Sequence, residues 1–276
     1  MSTVTTDRGG IFRPAFAILS GTLVGAFGLA FGTILSVLAA FALAGVGLEL
    51  TPASILVLGL LFTQGVGCIG VALTYSRLRP RVAAYLSERL SVFENARGEF
   101  RLPASVPSLR ELLLVVGGYL GALGLAFAGA FVLTLFQVDA GSNQAAEIGM
   151  QNPGVLLLLI PGSFLLIGPG EELLFRGVVQ GRFREVLGPV AGIGLASAIF
   201  AGIHIFALTG GSPTGNLLAL GVLFFPSLVF GTAYEVTDNL VVPALIHGAY
   251  NATLFTILYV VVRFGPEIEE MAPAMF

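Results

Sequence analysis

Long apolar runs recur along the whole chain and constrain its fold more than any other feature. Of the 276 residues, 56% are hydrophobic and only 11% are charged, against roughly 25% charged residues in soluble domains. A helix needs about 20 apolar residues to cross the hydrocarbon layer of a membrane. The runs are continuously apolar, whereas strands of a transmembrane barrel alternate apolar and polar positions. The chain is therefore predicted to be an all-α polytopic transmembrane helix bundle.

The apolar runs predict about seven to eight membrane spans in a single membrane domain covering residues 1–276. The predicted spans are 16–48, 53–75, 112–136, 154–186, 189–208, 217–234 and 240–262. The first and fourth runs exceed the length of a straight crossing, so each is expected to tilt, to kink or to contain an eighth segment. Pro169 and Gly170 mark the predicted kink in the fourth run.

The arginines predict how the chain is oriented in the cell membrane. All 13 basic residues are arginine, and short cytoplasmic loops retain positive charge. With the spans above, 11 of them fall on one side: at the N-terminus, between 76 and 110, and at Arg182 and Arg184. Arg263 lies on the opposite side and Arg176 lies within the fourth span. We therefore expect a cytoplasmic N-terminus and an external tail. For residues 81–96, a charged loop is favoured over an interfacial helix.

Polar and charged side chains within the spans are candidates for function, because a charge at bilayer depth costs at least about 2.5 to 3.5 kcal/mol. They fall into three groups, on the fourth, fifth and seventh runs. The groups are Glu171, Glu172 and Arg176; Phe200 and His204; and His247 and Asn251. The two histidines are the only ones in the chain.

Helical spacing assigns different roles to the two adjacent glutamates. Glu172 and Arg176 are four residues apart, so they share a helix face and can form an ion pair. Glu171 is rotated by about 100° from its neighbour, which places it poorly for the same pair. A carboxylate without a partner costs free energy in a bilayer, and a purely structural role does not explain that cost. Glu171 is therefore the better candidate for chemistry. For the Glu172–Arg176 pair, the alternative to a functional role is an ion pair that only fixes helix packing.

The two other groups also have the spacing of four that places side chains on one helix face. Phe200 and His204 form one such pair, and His247 and Asn251 form the other. Either histidine, or the asparagine, could instead serve only as a hydrogen-bonding partner between helices. Taken together, the three groups predict one polar cavity at which three helices converge.

The three groups resemble the motifs of the CPBP family, which comprises CAAX proteases and bacteriocin-processing enzymes and includes the type II CAAX prenyl endopeptidase. The matching patterns are Glu-Glu-x-x-x-Arg at 171–176, Phe-x-x-x-His at 200–204 and His-x-x-x-Asn at 247–251. The resemblance extends over about 154–262. The first two predicted spans resemble nothing that we can identify.

This resemblance implies an intramembrane endopeptidase that hydrolyses a peptide bond near the membrane. Glu171 and His204 would correspond to the groups that activate water, and His247 and Asn251 to those that stabilise the oxyanion. Glu172, Arg176 and Phe200 would support them. The family is often described as metalloproteases, and Glu171, His204 and His247 form a plausible zinc set. A glutamate mechanism without metal is equally compatible with the residues.

Two other functions fit the same residues. One is a membrane transporter or proton relay without proteolytic activity, and the other is an inactive immunity or interaction protein on the same fold. For the protease, the expected partners are membrane lipid and a peptide or protein substrate, with C-terminal lipidation of the substrate left open. No nucleic acid partner is expected.

Overall fold

The computed structural model describes residues 12–87 and 100–271, which form eight helices and one short pair of antiparallel strands. Seven of these helices are long and apolar enough to cross a membrane, so the protein is an all-α, multi-pass membrane protein. The elements are α1 (Phe12–Gly45), α2 (Pro52–Ser87), α3 (Leu109–Leu135), β1 (Ser142–Asn143), α4 (Gln144–Gln151), α5 (Pro153–Arg184), α6 (Pro189–Ala207), β2 (Leu208–Thr209), α7 (Pro213–Thr237) and α8 (Val241–Met271).

The predicted spans are confirmed in number and order, although α2 is longer than expected. The prediction ended this span at residue 75, whereas the helix continues through Pro80 to Ser87. The extension packs against the rest of the protein: Arg79 pairs with Glu185 at 2.7 Å, and its guanidinium carbon lies 4.7 Å from the centre of the Phe100 ring. The first seven residues of the predicted 81–96 loop are therefore helical. Its remainder, together with Arg8 and the last five tail residues, lies outside the described residues.

The long first and fourth runs each form one candidate span, 13–45 and 153–184, so neither contains an eighth segment in the described ranges. The fourth run departs from regular α-helix instead. In α5, π-helical turns at Ser163–Ile167 and Leu173–Gln180 flank the α-helical turn Gly168–Glu172. A third π-helical stretch, Gly59–Gly70, occupies the middle of α2. Since π turns widen a helix and are frequent at functional sites, they direct attention to the glutamates between them.

Glycines allow α1 to approach both α2 and α5 closely. A Cβ added at Gly32 would lie 2.4 Å from the Phe62 carbonyl oxygen, and one at Gly67 would lie 2.4 Å from the Gly28 carbonyl oxygen. A Cβ at Gly25 would lie 2.9 Å from the Val179 side chain. Small residues serve this purpose in membrane helix pairs, where packing rather than hydrophobic burial drives association.

A second close crossing joins α5 to α8 directly beside the polar groups. A Cβ at Gly168 would lie 2.6 Å from the Ala244 carbonyl oxygen and 3.1 Å from the Gly248 backbone nitrogen. A Cβ at Gly248 would lie 3.1 Å from the Ser163 carbonyl oxygen. Only glycine permits this backbone contact, and it brings the Glu171–Glu172 turn of α5 next to His247 of α8.

Candidate active site

Glu172 and Arg176 form the ion pair that their spacing predicts. Arg176 Nε donates to Glu172 Oε2 at 2.9 Å, and neither side chain is exposed to solvent. The other guanidinium nitrogens of Arg176 donate to Ser197 Oγ at 3.3 Å and to Ser227 Oγ at 2.9 Å. These bonds satisfy the buried cation and tie α5 to α6 and α7. The pair is thus also a junction between three helices.

Glu172 has a second partner that helix geometry within α5 does not reveal. Its Oε1 lies 2.9 Å from His247 Nδ1. Since a carboxylate can only accept, Nδ1 of His247 carries the hydrogen in this bond. The ring of His247 is further fixed by stacking on Phe230, with ring centres 4.8 Å apart and an angle of 15° between the planes. Glu172 therefore holds His247 in one orientation.

Glu171 stands on the other side of His247 and takes no part in the ion pair. Its Oε2 lies 3.9 Å from His247 Nε2, which is too long for a direct hydrogen bond. Its Oε1 accepts a hydrogen bond from Gln64 Nε2 of α2 at 2.9 Å. The Glu171 side chain remains buried, with only 7% of its surface exposed. Oε1 is thus held by Gln64, while Oε2 faces His247 Nε2 without a direct hydrogen bond.

His204 lies at the end of α6, where the α-helix changes to a 3-10 turn over His204–Ala207. Its Nδ1 lies 2.7 Å from the Phe200 carbonyl oxygen. A carbonyl only accepts, so Nδ1 carries the hydrogen, and Nε2 of the neutral ring has a free lone pair. The Phe200 ring contacts both histidine rings, with centre-to-centre distances of 4.7 Å to His204 and 5.8 Å to His247. Phe200 therefore packs against both histidines.

Asn251 follows His247 by one helical turn and is half-exposed, as is His204. His247 itself is only 4% exposed. His204 and Asn251 are therefore the most accessible of the predicted residues, whereas the Glu172–Arg176 pair is fully buried. All three predicted groups lie in this region: Glu171, Glu172 and His247 in direct proximity, the Phe200–His204 pair through ring contacts, and Asn251 one turn away.

The side chains predicted as a zinc set do not form one in this arrangement. Among the residues that the structure describes, no three His, Cys, Asp or Glu side chains are grouped closely enough to hold a metal ion. The Nδ1 atoms of both histidines are engaged, with Glu172 and with the Phe200 carbonyl, so only their Nε2 atoms would be available to a metal. Because the described side chains do not form a metal-binding group, the proposed reaction uses only residues of the chain.

Sequence reasoning missed several residues of the site. Ser197, Ser227 and Phe230 satisfy or enclose the predicted residues, yet each is unremarkable in an apolar run. Gln64 had a detectable signal, since an uncharged but strongly polar amide in the second apolar run also needs a partner in a membrane.

Comparison with known proteins identifies one matching family. Residues 153–253 match the family model described as "Type II CAAX prenyl endopeptidase Rce1-like". The resemblance to CAAX proteases is confirmed. The matched stretch, hereafter the Rce1-like segment, is less than half of the chain and contains all seven motif residues. This family is a protease family, which supports a CAAX-type intramembrane peptidase in general terms. Searches of curated proteins and of solved structures found no match.

The Rce1-like segment includes all of α5, α6 and α7, and the first part of α8 up to residue 253. It therefore excludes α2, although Gln64 of α2 contacts Glu171. A helix outside the recognised segment thus completes the surroundings of the site.

Proposed function

We propose that the protein is an intramembrane endopeptidase in which Glu171 is the general base. The observation that supports this most directly is that the two glutamates have different partners. Glu172 is fully used by Arg176 and His247, at 2.9 Å each. Glu171 keeps its Oε2 free beside His247 Nε2, 3.9 Å away. A buried carboxylate with a free oxygen is suited to accept a proton from water.

In the proposed reaction, Glu171 Oε2 removes a proton from a water molecule, whose oxygen attacks the carbonyl carbon of the scissile peptide bond. His204 assists through the lone pair on Nε2, which its Nδ1 bond to the Phe200 carbonyl leaves available. The carbonyl oxygen becomes an oxyanion. When the tetrahedral intermediate collapses, the C–N bond breaks and the proton held by Glu171 passes to the departing amine.

His247 and Asn251 are proposed to stabilise the oxyanion. In this role the His247 ring carries a proton on each nitrogen, so that Nδ1–H bonds to Glu172 while Nε2–H donates to the oxyanion. The side-chain amide of Asn251, one turn further along α8, supplies a second donor. Removing one donor of this kind typically costs about 10²- to 10³-fold in kcat.

The substrate is proposed to be a membrane-proximal peptide or protein segment. The matched family description names a prenyl endopeptidase, so a peptide that ends in a CAAX sequence with a prenylated cysteine is the first substrate to test. The same peptide without the prenyl group separates recognition of the lipid from recognition of the peptide. Cleavage of both at equal efficiency would contradict a lipid requirement.

We further propose that the N-terminus is cytoplasmic. The arginine-rich ends of α2 and α5 meet, since Arg79 and Arg182 both bind Glu185, so these positive charges lie at one end of the bundle. Cysteine labelling at position 101 in intact cells, compared with permeabilised cells, tests this. We expect labelling only after permeabilisation, and labelling of intact cells would reverse the orientation.

Substitution of Glu171 tests the proposed activity. The test uses the peptide, with or without the prenyl group, that the wild-type protein cleaves. We expect Glu171→Gln to reduce its cleavage by about 10²- to 10⁴-fold, the usual contribution of a general base, with little change in unfolding temperature. Glu111→Gln is the matched control, since Glu111 caps α3 through Ser108 and is not part of the site. The same variants compared by membrane peptide profiling in cells extend the test to natural substrates.

The outcomes also separate the rival functions. A transporter or an inactive binding protein predicts no difference in cleavage between the wild-type protein and Glu171→Gln. A fully active Glu171→Gln beside a stable, inactive Glu172→Gln would exchange the roles of the two glutamates.

Zinc is tested separately, by metal analysis of the purified active protein and by its response to a chelator. The mechanism proposed here predicts activity without stoichiometric metal and no loss of activity after chelation. Stoichiometric zinc, with activity lost on chelation and restored by added zinc, would show that the ligand set expected from the sequence assembles in the working enzyme.

A further inference from the structure

We propose that Gln64 of α2 is a positioning residue for Glu171, so that the site depends on a helix outside the Rce1-like segment. This inference rests on the proposed function, because it concerns how the base is presented. Gln64 lies 107 positions from Glu171 in sequence, yet its Nε2 donates to Glu171 Oε1 at 2.9 Å.

The contact assigns different tasks to the two oxygens of Glu171. Gln64 occupies Oε1, so the carboxylate is fixed in rotation about its last bond. Oε2 is then the oxygen directed towards His247 Nε2, 3.9 Å away. A water molecule can bridge two polar atoms at this separation. Gln64 thereby selects the oxygen that acts as the base.

The orientation of the Gln64 amide follows from its partner. Nε2 must face Glu171, because the opposite orientation would place the amide oxygen against a carboxylate oxygen. Gln64 Oε1 is then buried without a hydrogen-bond partner among the described residues. A buried acceptor without a partner costs folding free energy. A side chain that only filled space between helices would avoid this cost by being apolar, so the amide is better explained by what its donor does.

The backbone around the contact is shaped to receive this side chain. Gln64 lies in the π-helical stretch Gly59–Gly70, and π turns often accompany functional positions. On the opposite helix, a Cβ at Gly170 would lie 2.8 Å from the Gln64 carbonyl oxygen and 3.4 Å from Gln64 Oε1. Gly170 therefore leaves the space that Gln64 needs in order to reach the residue beside it.

The experiment measures cleavage of quenched fluorescent peptides, one ending in a prenylated CAAX sequence and one without the prenyl group, by the full chain in detergent. Gln64→Met keeps the length of the side chain but removes the donor. We expect kcat to fall about 10- to 100-fold, because misplacing a reacting group by about 1 Å can cost about 10²-fold in rate, with KM nearly unchanged. Gln64→Glu, which places an acceptor against the Glu171 carboxylate, should lose more activity than Gln64→Met.

Thr63→Val is the matched control. Thr63 belongs to the same π-helical stretch but directs its hydroxyl towards Thr33 of α1, at 3.4 Å. We expect its kcat and KM to match those of the wild-type protein. A kcat for Gln64→Met equal to that of Thr63→Val, in a preparation in which Glu171→Gln is inactive, would overturn the inference and leave the proposed function standing.

A double-mutant cycle in thermal unfolding tests the contact without any activity. We expect Gln64→Met to lower the unfolding temperature by about 2 to 4 °C in the wild-type background, and by less than half as much in Glu171→Met, where the acceptor is already gone. Additive shifts would show that the two side chains do not interact and would overturn the inference. Failure of the wild-type protein to cleave either peptide would instead count against the proposed function, and the cycle would still decide the contact.

Discussion

Helices α3 and α5 are both apolar spans, yet they occupy opposite situations in the protein. In the most apolar stretch of α3, 11% of the residues are buried, against 44% in that of α5. α3 is a regular α-helix over Leu109–Leu135, whereas α5 alternates between α and π geometry. Apolar content identifies both as spans, but it does not distinguish the helix that faces lipid from the helix that carries the site.

The glycines of the two helices differ in what they approach. On α3, Gly117 and Gly121 have nothing within 4 Å of an added Cβ, whereas Gly118 and Gly129 would place a Cβ 2.6 Å and 2.5 Å from side chains of neighbouring helices. Gly168 and Gly170 of α5 would place a Cβ within 2.6 Å and 2.8 Å of a backbone oxygen on a neighbouring helix. These two glycines of α5 therefore permit contact with the backbone of neighbouring helices, whereas those of α3 meet either open space or side chains. Enclosure of α5 is what allows it to carry two carboxylates and a guanidinium within the bundle.

The largest effect on stability is expected from breaking the buried pair of α5. Glu172→Gln leaves Arg176 as a buried cation without its carboxylate, and breaking such a pair costs about 3 to 5 kcal/mol. It should also reduce cleavage, because His247 loses the carboxylate that fixes it at 2.9 Å. Unfolding in detergent and peptide cleavage measure the two effects.

The double variant Glu172→Gln, Arg176→Met provides the control for that prediction. It removes both charges, so part of the lost stability should return. Cleavage should stay low, since the carboxylate that holds His247 is still absent. A double variant that is less stable than Glu172→Gln alone would contradict the ion-pair explanation.

A smaller loss is expected from filling the crossing between α5 and α8. Gly168→Ala forces a methyl group against the Ala244 carbonyl oxygen, where the distance would be 2.6 Å. Overpacking of this kind typically costs about 1 to 3 kcal/mol. The unfolding temperature should fall and cleavage with it, because the crossing sets the distance between the glutamates and His247. Unchanged stability and activity would mean that the two helices can separate without consequence.

The smallest effect, of opposite sign, is expected on α3. Gly117→Ala and Gly121→Ala meet open space, and alanine is favoured over glycine in a helix interior by up to about 1 kcal/mol. Each variant should therefore be as stable as the wild-type protein or slightly more stable, with unchanged cleavage. A loss of stability comparable to that of Gly168→Ala would show that this face of α3 is packed against something, and would erase the contrast with α5.

The sequence by itself determined the class of fold and the pairing of Glu172 with Arg176. The spans can be predicted from the sequence because the bilayer penalises charged side chains and unpaired backbone groups. Each span must therefore be a continuous apolar helix long enough to cross the membrane. Likewise, the Glu172–Arg176 pair follows from spacing, since a helix places residues four apart on the same face. These are local properties, and the structure agrees with them.

Tertiary structure alone decided how the groups are connected. The bond from Glu172 to His247, the packing of Phe200 against His247 and the contact of Gln64 with Glu171 all join residues on different helices. No periodicity along the chain encodes such contacts, because they depend on where backbones cross. Here the crossings are set by individual glycines such as Gly168 and Gly170, whose importance lies in the neighbouring atoms that a side chain would strike.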